Sequence, residues 1–429
     1  MNIKTVKRQV KDISCLIVAY DVSKNKHDYY TQFDIGSDTT EVSGITSSQT
    51  DKVQEHFGEI QALADKHKFN FVKIVCEPTG GYEKVLMNQA REFGFYTECV
   101  NGEATHKAKV IESNDSGKND KKDCRVIHML ATQGSTITCT NRPQKYKNLK
   151  LLNGKYEDLS LEGGRMKNRI CSYRLELFPD LQLTPRQIYS KVGSCVISVY
   201  GLNPYTISQI TWKAFEKKVT KLYGRKIGGS ALTLLEKIYK DAKISALNIN
   251  PEWYTDELES AFRDAYTRLL QIIELKEEYK IKMIDVLKQT NEYERLKDTP
   301  VSDFMLSRLI AETGSWSDYD DISQLFRYGG MNLIEKQSGT YNGCLKLSKK
   351  GNSLMRKIMG QITFSTFIKK GALYADFYQK QKAKKGGFYG LACVMRKSLT
   401  MMFGLYKSNT EFNAERVFNQ LAQPLAKTA

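Results

Sequence analysis

Four features that define common protein classes are missing from this sequence of 429 residues. No apolar run approaches the roughly 20 residues that a membrane-spanning helix needs. The nine cysteines are scattered singly, without the pairs or histidine spacing of a zinc site, so we expect free thiols in a reducing compartment. No Walker A glycine–lysine loop is present, which argues against a signalling NTPase. Because no signal-peptide segment is recognisable, we expect a cytoplasmic protein.

Acidic residues are scarce relative to basic ones. The chain has 65 Lys and Arg against 48 Asp and Glu, which gives a net charge of +17. Between Tyr341 and Thr400, thirteen basic residues accompany a single acid, Asp376. Such an excess favours a polyanionic partner, because neutralising phosphates releases counterions. We therefore expect nucleic acid rather than a merely solvated face or, as the weaker alternative, an anionic membrane.

The first 140 residues alternate apolar strands with helices. Cys15–Tyr20 and Phe71–Cys76 have the composition of buried strands, and Tyr29–Ile35 is expected to pair with the first as a hairpin. Apolar residues at helical spacing follow each hairpin or strand. This order predicts an α/β domain over residues 1–142, with a mixed sheet covered by helices.

The strand pattern ends near Arg142, and the rest of the chain is predicted to be all-α. Apolar residues in 255–290 follow heptad spacing, so this segment is expected to pair with the charged helix 146–177 as an antiparallel coiled coil. Gly163 and Gly164 are expected to interrupt that first helix. A smaller helical unit lies between the two segments. We therefore expect a helical region over 143–295 and a separate basic domain over 296–429.

Four carboxylates stand at the ends of predicted elements. Asp21 and Glu77 each follow an apolar strand, whereas Asp120 and Asp123 lie three residues apart on one face of a helix start. Acids that converge on one sheet edge supply the hard oxygen ligands of a two-metal site for Mg²⁺ or Mn²⁺, which can stabilise both oxygens of a phosphodiester displacement. Each acid alone is explained as a turn former or helix cap, but together they favour a metal site.

The segments around these acids resemble a known family. The order and spacing of the acids resemble the D, E, D, D motifs of the insertion-sequence 110 family of mobile-element recombinases, related to the Piv-type DNA invertases. The segments are Asp21–Lys24, Glu77–Tyr82 and Asn119–Arg125. The resemblance implies a prokaryotic protein whose first domain is RuvC/RNase H-like and binds divalent metal through all four acids. The chain departs from the family at Cys124, where Ala is usual, and at Asn119, where Thr is common.

The C-terminal region resembles the serine transposase domain of the same family, on the segments Tyr328–Gly330, Lys336–Thr340 and Ser348–Asn352. The resemblance implies that Ser338 is the nucleophile and forms a covalent phosphoserine intermediate. Alone, a Ser-Gly pair in a polar loop indicates only a turn. Ser348 and Ser353 are fallback candidates, although Ser348 is expected rather to cap the next helix or touch phosphate. Five basic residues are expected to hold the scissile phosphate, namely Lys346, Lys349, Lys350, Arg356 and Lys357.

The resemblance also implies the partners of the protein. These are donor and target DNA, a structured noncoding guide RNA (a "bridge" RNA), and further copies of the chain in a dimer or tetramer, without a membrane. The acids of one subunit would meet the serine of another in a composite site. Two alternatives stay open here. One is a metal-dependent nuclease or junction resolvase that uses only the four acids, and the other is a basic nucleic-acid-binding protein with a degenerate nuclease fold.

Overall fold

A computed structural model describes residues 14–35, 37–113, 120–138, 142–248, 250–334, 337–338, 341–342 and 346–415. The chain forms two compact units, residues 1–141 and 142–429. Among the described helices, none is both long and apolar enough to cross a membrane. The predicted division of the second unit at residue 296 stays a prediction.

The first unit is built around one mixed sheet. Its strands are β1 (Cys15–Val22), β2 (Lys26–Ile35), β3 (Asp38–Ser47), β4 (Phe71–Cys76), β5 (Tyr96–Cys99) and β6 (Ile137–Thr138). They lie in the order β3-β2-β1-β4-β5-β6. β1, β4 and β5 are parallel, whereas β2, β3 and β6 are each antiparallel to a neighbour. The carboxyl ends of three central strands therefore meet at one edge of the sheet.

Helices cover both faces of this sheet, namely α1 (Thr50–Lys66), α2 (Glu83–Glu92), α3 (Gly102–Ser113) and α4 (Asp120–Thr132). Alternate residues of β1 point to opposite faces. Tyr20 packs with Phe57 of α1 in one core, and Ala19 packs with Val126 of α4 in the other. The predicted α/β class is confirmed. The sequence prediction missed β3, because this edge strand is mostly polar and only Thr46 in it is buried.

The second unit is mostly helical, as predicted. Its helices are α5 (Gln144–Leu177), α6 (Pro185–Ile188), α7 (Lys191–Tyr200), α8 (Pro204–Ser208), α9 (Trp212–Tyr223), α10 (Ser230–Asn248), α11 (Asp256–Leu287), α12 (Asn291–Leu296), α13 (Asp303–Thr313), α14 (Ile322–Tyr328), α15 (Ser353–Ile362), α16 (Ala375–Lys385) and α17 (Gly387–Ser408). Short 3-10 turns cover Pro251–Trp253 and Trp316–Asp318, and a π-helical turn covers Thr363–Phe367. The described residues also include four two-residue strands, β7 (Leu333–Ile334), β8 (Gln337–Ser338), β9 (Tyr341–Asn342) and β10 (Lys346–Leu347).

The two long helices α5 and α11 pack against each other antiparallel. The Lys145 ammonium near the start of α5 donates to the Gln289 carbonyl just after α11, at 3.0 Å. Farther along, Arg268 donates to the Glu162 carboxylate at 2.7 Å. One hydrophobic core forms around each end of this pair. The helices α6 to α10 share the core that contains Ile170 of α5, and the helices α12 to α17 share the other.

The expected interruption of α5 at its two glycines is wrong, because the helix is continuous from Gln144 to Leu177. Gly163 is buried, and a Cβ atom there would lie 3.3 Å from Cγ2 of Ile272 in α11. The adjacent Gly164 is exposed, and a Cβ atom there would meet nothing within 4 Å. Gly163 is therefore a point of close helix contact rather than a break.

Candidate active site

Asp21 and Glu77 lie side by side at the carboxyl ends of β1 and β4. The parallel register pairs Tyr20 with Cys76, the residues just before the two acids. Because Ala19 and Val75 both belong to the core under α4, the alternation of a strand directs Asp21 to that same face. Glu77 contacts this face too, since its Oε1 lies 2.7 Å from where Gly102 at the start of α3 would place a Cβ atom. Neighbouring strands are about 4.8 Å apart, so the sheet brings these two predicted acids together.

Helix α4 lies over the same face and contains the other two acids. It begins at Asp120, as predicted, and Asp123 is 7% exposed. The Cys124 thiol donates to the backbone carbonyl of Asp28 in β2 at 3.2 Å, which fixes the start of α4 against the sheet. The side chain of Asp120 lies outside the described part of the structure.

The buried thiol of Cys124 lies near several of these acids. Burial raises the pKa of Cys124 to about 12, and the nearby carboxylates of Asp21, Asp28 and Asp123 raise it too, against a lowering by the Asp21 backbone. The thiol therefore lies in a buried place near three carboxylates. Asp28 was not predicted from the sequence. It is the register partner of Asp21, and no local signal distinguishes it from other polar strand residues.

Two lysines balance this charge. The Lys109 ammonium of α3 lies 2.6 Å from Oδ1 of Asp123, with both side chains largely buried. The Lys26 ammonium lies 3.0 Å from Oδ2 of Asp28. Among the described residues, no three acidic, histidine or cysteine side chains are already arranged as a metal cage. The donor set nevertheless suits a hard divalent cation, because it consists of carboxylates and one of them already binds a cationic group.

Ser338 lies in a small β-hairpin of the second unit. β7 pairs with β10 at the base, and β8 pairs with β9 farther out, where Ser338 is opposite Tyr341. The side chain of Ser338 lies outside the described residues. Two glycine-containing segments flank β7 and β10 in the sequence, and they hydrogen-bond to each other, since the Lys349 amide donates to the Gly330 carbonyl at 3.0 Å. This pair of segments is the base of the hairpin.

This base, which we call the glycine crossing, comprises residues 328–330 and 349–352. Gly351 has φ +140°, and a Cβ atom there would lie 2.5 Å from the Tyr328 carbonyl oxygen. The Asn352 amide donates to that same carbonyl at 2.8 Å. Only glycine permits so close a backbone approach at this φ. The two motifs that the sequence singled out here are thus two halves of one structure.

The predicted phosphate-binding residues have different surroundings. Lys346, Lys349 and Lys350 are exposed. Arg356 donates to the carbonyl of Gly329 at 2.8 Å and so closes the glycine crossing. The ammonium of Lys357 lies 2.5 Å from the Glu157 carboxylate on α5.

The structure also shows the surroundings of the two fallback serines. Ser348 donates to Oδ1 of Asn332 at 2.5 Å, and Ser353 is the exposed first residue of α15. The expectation that Ser348 caps the next helix is wrong. The side chain of Asn352 caps α15 instead by accepting from the Met355 amide at 2.9 Å. Asn352 is four residues farther along the chain and stands directly before the first helical residue, which is the position a cap requires.

A buried carboxylate that contacts the glycine crossing was not predicted from the sequence. Glu312 of α13 is 1% exposed and accepts from Asn153 at 2.8 Å, from Asn352 at 2.7 Å and from Lys150 at 2.5 Å. Burial raises the pKa of Glu312, but these hydrogen bonds outweigh it and leave the pKa below its usual value. Glu312 therefore joins α5 to the cap residue of α15. Only its position inside an apolar helix hinted at this, and its partners lie 40 or more residues away.

Comparison with known proteins gives two family matches. Residues 18–179 match the DEDD transposase family of IS110 elements, and residues 294–379 match the transposase family IS116/IS110/IS902. No curated protein matches the chain. The chain is similar to RuvC of T. thermophilus in complex with a Holliday junction substrate, at 8% identity and a TM-score of 0.22, over 29% of this chain and 99% of that one. A Thermus thermophilus RuvC structure is similar at 8% identity and a TM-score of 0.19, over 30% and 84%.

Proposed function

The chain belongs to the IS110 family of transposases, which cleave and rejoin DNA, and we propose that it does so through a phosphoserine formed at Ser338. The Ser338 hydroxyl oxygen would attack a DNA phosphorus, and the bond from phosphorus to one deoxyribose oxygen would break, with that oxygen taking up a proton. The freed hydroxyl of a partner strand would then attack the same phosphorus, and the serine would leave with its proton restored. The number of phosphoester bonds stays the same in each step, so the reaction needs no nucleotide hydrolysis.

The observation that supports this proposal is the position of Ser338 on a hairpin above the glycine crossing. The exposed Lys346, Lys349 and Lys350 lie on or beside that hairpin's base. Ammonium groups at this place would attract a DNA phosphate and offset charge as it develops on the displaced oxygen.

We further propose that Asp21, Glu77, Asp120 and Asp123 hold Mg²⁺ or Mn²⁺. Such an ion would neutralise phosphate charge and so lower the barrier to displacement. The chain's own residues prepare the place for it. β1 and β4 fix two of the carboxylates side by side. The ammonium of Lys109 is paired with Asp123, and the ion would have to displace it or share the carboxylate with it.

The partners proposed are donor and target DNA, a structured guide RNA and further copies of the chain. The net charge of +17 suits a protein that holds more than one polyanion. A guide RNA would take over sequence reading by base pairing, as it does in other RNA-guided systems. A dimer or tetramer in the cytoplasm would hold the two strand pairs that exchange.

The experiment that tests the serine compares Ser338→Ala with Ser353→Ala. Each full-length protein, with co-purified RNA and with Mg²⁺, is incubated with end-labelled DNA that spans the ends of its element, and products are separated under denaturing conditions. We expect a protein–DNA adduct in the wild type and in Ser353→Ala, and none in Ser338→Ala. Cleavage that persists in Ser338→Ala without any adduct would instead favour a nuclease or junction resolvase that uses only the four acids.

A further inference from the structure

The helices α16 and α17 form a tight hairpin whose tip lies at Gly386. Gly386 joins α16 to α17 with φ +90°, and its amide donates to the Lys382 carbonyl at 2.8 Å. Just beyond it, Gly390 is buried, and a Cβ atom there would lie 3.1 Å from both the Tyr378 ring and the Lys382 nitrogen. The backbone of α17 at Gly390 therefore contacts the ring of Tyr378 in α16, about one helical turn from Gly386. These contacts hold the backbone of the tip against α16.

The tip presents one large apolar side chain to solvent. Phe388 is 91% exposed, the highest value among the large apolar residues that the structure describes. Tyr389 next to it is half-buried, with the Lys385 ammonium 5.5 Å from its ring centre. The fold therefore leaves almost the whole ring accessible to a partner.

The surroundings of Phe388 are basic. Lys380, Lys382, Lys384 and Lys385 of α16 are all exposed. No acidic residue occurs in the sequence between Asp376 and Glu411. A protein partner with an ordinary mixed surface would leave this charge unbalanced, whereas a phosphate backbone on each side of the ring would match it. The charge therefore selects a nucleic acid as the occupant.

We propose that Phe388 is a wedge that stacks on an unpaired DNA base while the lysines of α16 hold the flanking phosphates. Aromatic side chains beside basic residues bind single strands in this way, because every base offers a face for stacking. Apolar wedges likewise open base steps in duplexes. Strand exchange needs unpaired DNA, so the wedge belongs to the family's cleaving and rejoining activity and does not depend on the chemistry of Ser338. Phe388 also lies beyond the 294–379 family match.

The test measures binding of the full-length protein, freed of RNA by nuclease and high salt, to three fluorescent oligonucleotides. They are a mixed-sequence 30-nucleotide single-stranded DNA with an internal 2-aminopurine, its fully paired duplex, and the RNA of the same sequence. Phe388→Ala should weaken binding to the single-stranded DNA about tenfold, since stacking on one base is worth about 1–3 kcal/mol. It should also abolish the quenching of 2-aminopurine. The duplex should lose less than threefold.

Two further variants keep the result interpretable. Phe364→Ala removes another exposed phenylalanine, 68% exposed and outside the tip, and should change binding less than twofold. Phe388→Trp retains a stacking face and should keep both affinity and quenching. Unchanged single-strand binding in Phe388→Ala would overturn the proposal. So would a loss confined to the RNA, which would make RNA the partner, or a change in oligomeric state, which would make the tip a contact between copies.

Discussion

At the scale of single residues, the Lys109–Asp123 pair lies where we propose that a divalent cation binds. The ammonium lies 2.6 Å from the carboxylate, and a metal ion bound to Asp123 would have to displace it or share it. Lys109→Met should therefore lower the free energy of unfolding without metal by about 3 kcal/mol, because the largely buried Asp123 carboxylate loses the partner of its ion pair. It should also strengthen Mn²⁺ binding, seen as a larger Mn²⁺-induced rise in the melting temperature.

Lys107 offers a matched control for that substitution. It lies on the same helix and pairs with Glu103 at 2.9 Å, but its side chain is 70% exposed. Lys107→Met should leave both the melting temperature and the Mn²⁺ response close to wild type, because exposed ion pairs contribute little. If Lys109→Met weakened the Mn²⁺ response, then Lys109 would support the ion rather than compete with it.

Glu312 gives a second prediction at this scale, one that depends on pH. Its pKa is lower in the folded state than in the unfolded chain, so it stabilises the protein above the ordinary glutamate pKa of about 4.5. That contribution is lost as the pH falls through the lowered folded-state value. Glu312→Gln should therefore reduce the free energy of unfolding by about 2 kcal/mol at pH 7, and the difference from wild type should shrink below about pH 4.5. Urea unfolding across this pH range measures both effects.

The matched substitution for Glu312 is Glu278→Gln on α11. Glu278 is 55% exposed, and the nearest ammonium, that of Lys282, is 3.8 Å away. This variant should unfold like the wild type at every pH, because solvent screens its charge. A Glu312→Gln deficit that is equal at pH 7 and at pH 4 would mean that the hydrogen-bonded shape of the side chain, and not its charge, stabilises the site.

At the scale of helices and strands, the sequence predicts elements whose apolar residues have a regular period. The buried β1 contains a continuous apolar run and β4 is apolar except at Lys73. Because α1 and α4 have apolar residues at helical spacing, the sequence predicts all four elements. β3 was not, because its side chains lie mostly on an exposed edge and its composition is polar. A regular period of apolar residues in the sequence indicates that one face of an element is buried. A strand that is held mainly by backbone hydrogen bonds to its neighbour has no such period.

The residues of the candidate site divide in the same way. The sequence predicts Asp21, Glu77, Asp120 and Asp123 because each stands at the end of a predicted element, and their role as metal ligands stays a prediction. Asp28 and Glu312 could not, because their importance comes from residues that only the folded chain brings near them. Asp28 becomes part of the acidic region through its register with Asp21. Glu312 meets Asn153 and Asn352, 159 residues before it and 40 after it.

The neighbouring glycines of α5 give a prediction for this scale. Gly164 is exposed and faces open space, so Gly164→Ala should stabilise the helix by about 1 kcal/mol through helix propensity. Gly163→Leu should instead destabilise the protein by about 1–3 kcal/mol, because the new side chain would overlap Ile272 of α11. Thermal unfolding of both variants checks the signs. Equal effects from the two substitutions would contradict the close contact of α5 and α11 at Gly163.

At the scale of the whole molecule, the two sets of residues that we propose for the reaction belong to different compact units. The four acids lie in residues 1–141 and Ser338 lies in residues 142–429. The proposed mechanism needs both sets, because a serine hydroxyl is a weak nucleophile without electrostatic help and the carboxylates alone would form no phosphoserine. Our proposal that one subunit's acids serve another subunit's serine therefore has a direct consequence for mixed assemblies.

Asp21→Ala and Ser338→Ala should each be inactive alone but should restore strand joining when they are co-expressed. In a dimer with sites shared between subunits, a mixed pair has one site with both defects and one with none, so about a quarter of all sites should be intact. Co-expressed Asp21→Ala and Glu77→Ala are the control and should stay inactive, since their defects lie in the same unit. If the first pair also stayed inactive while mixed dimers formed, acids and serine would have to come from one chain.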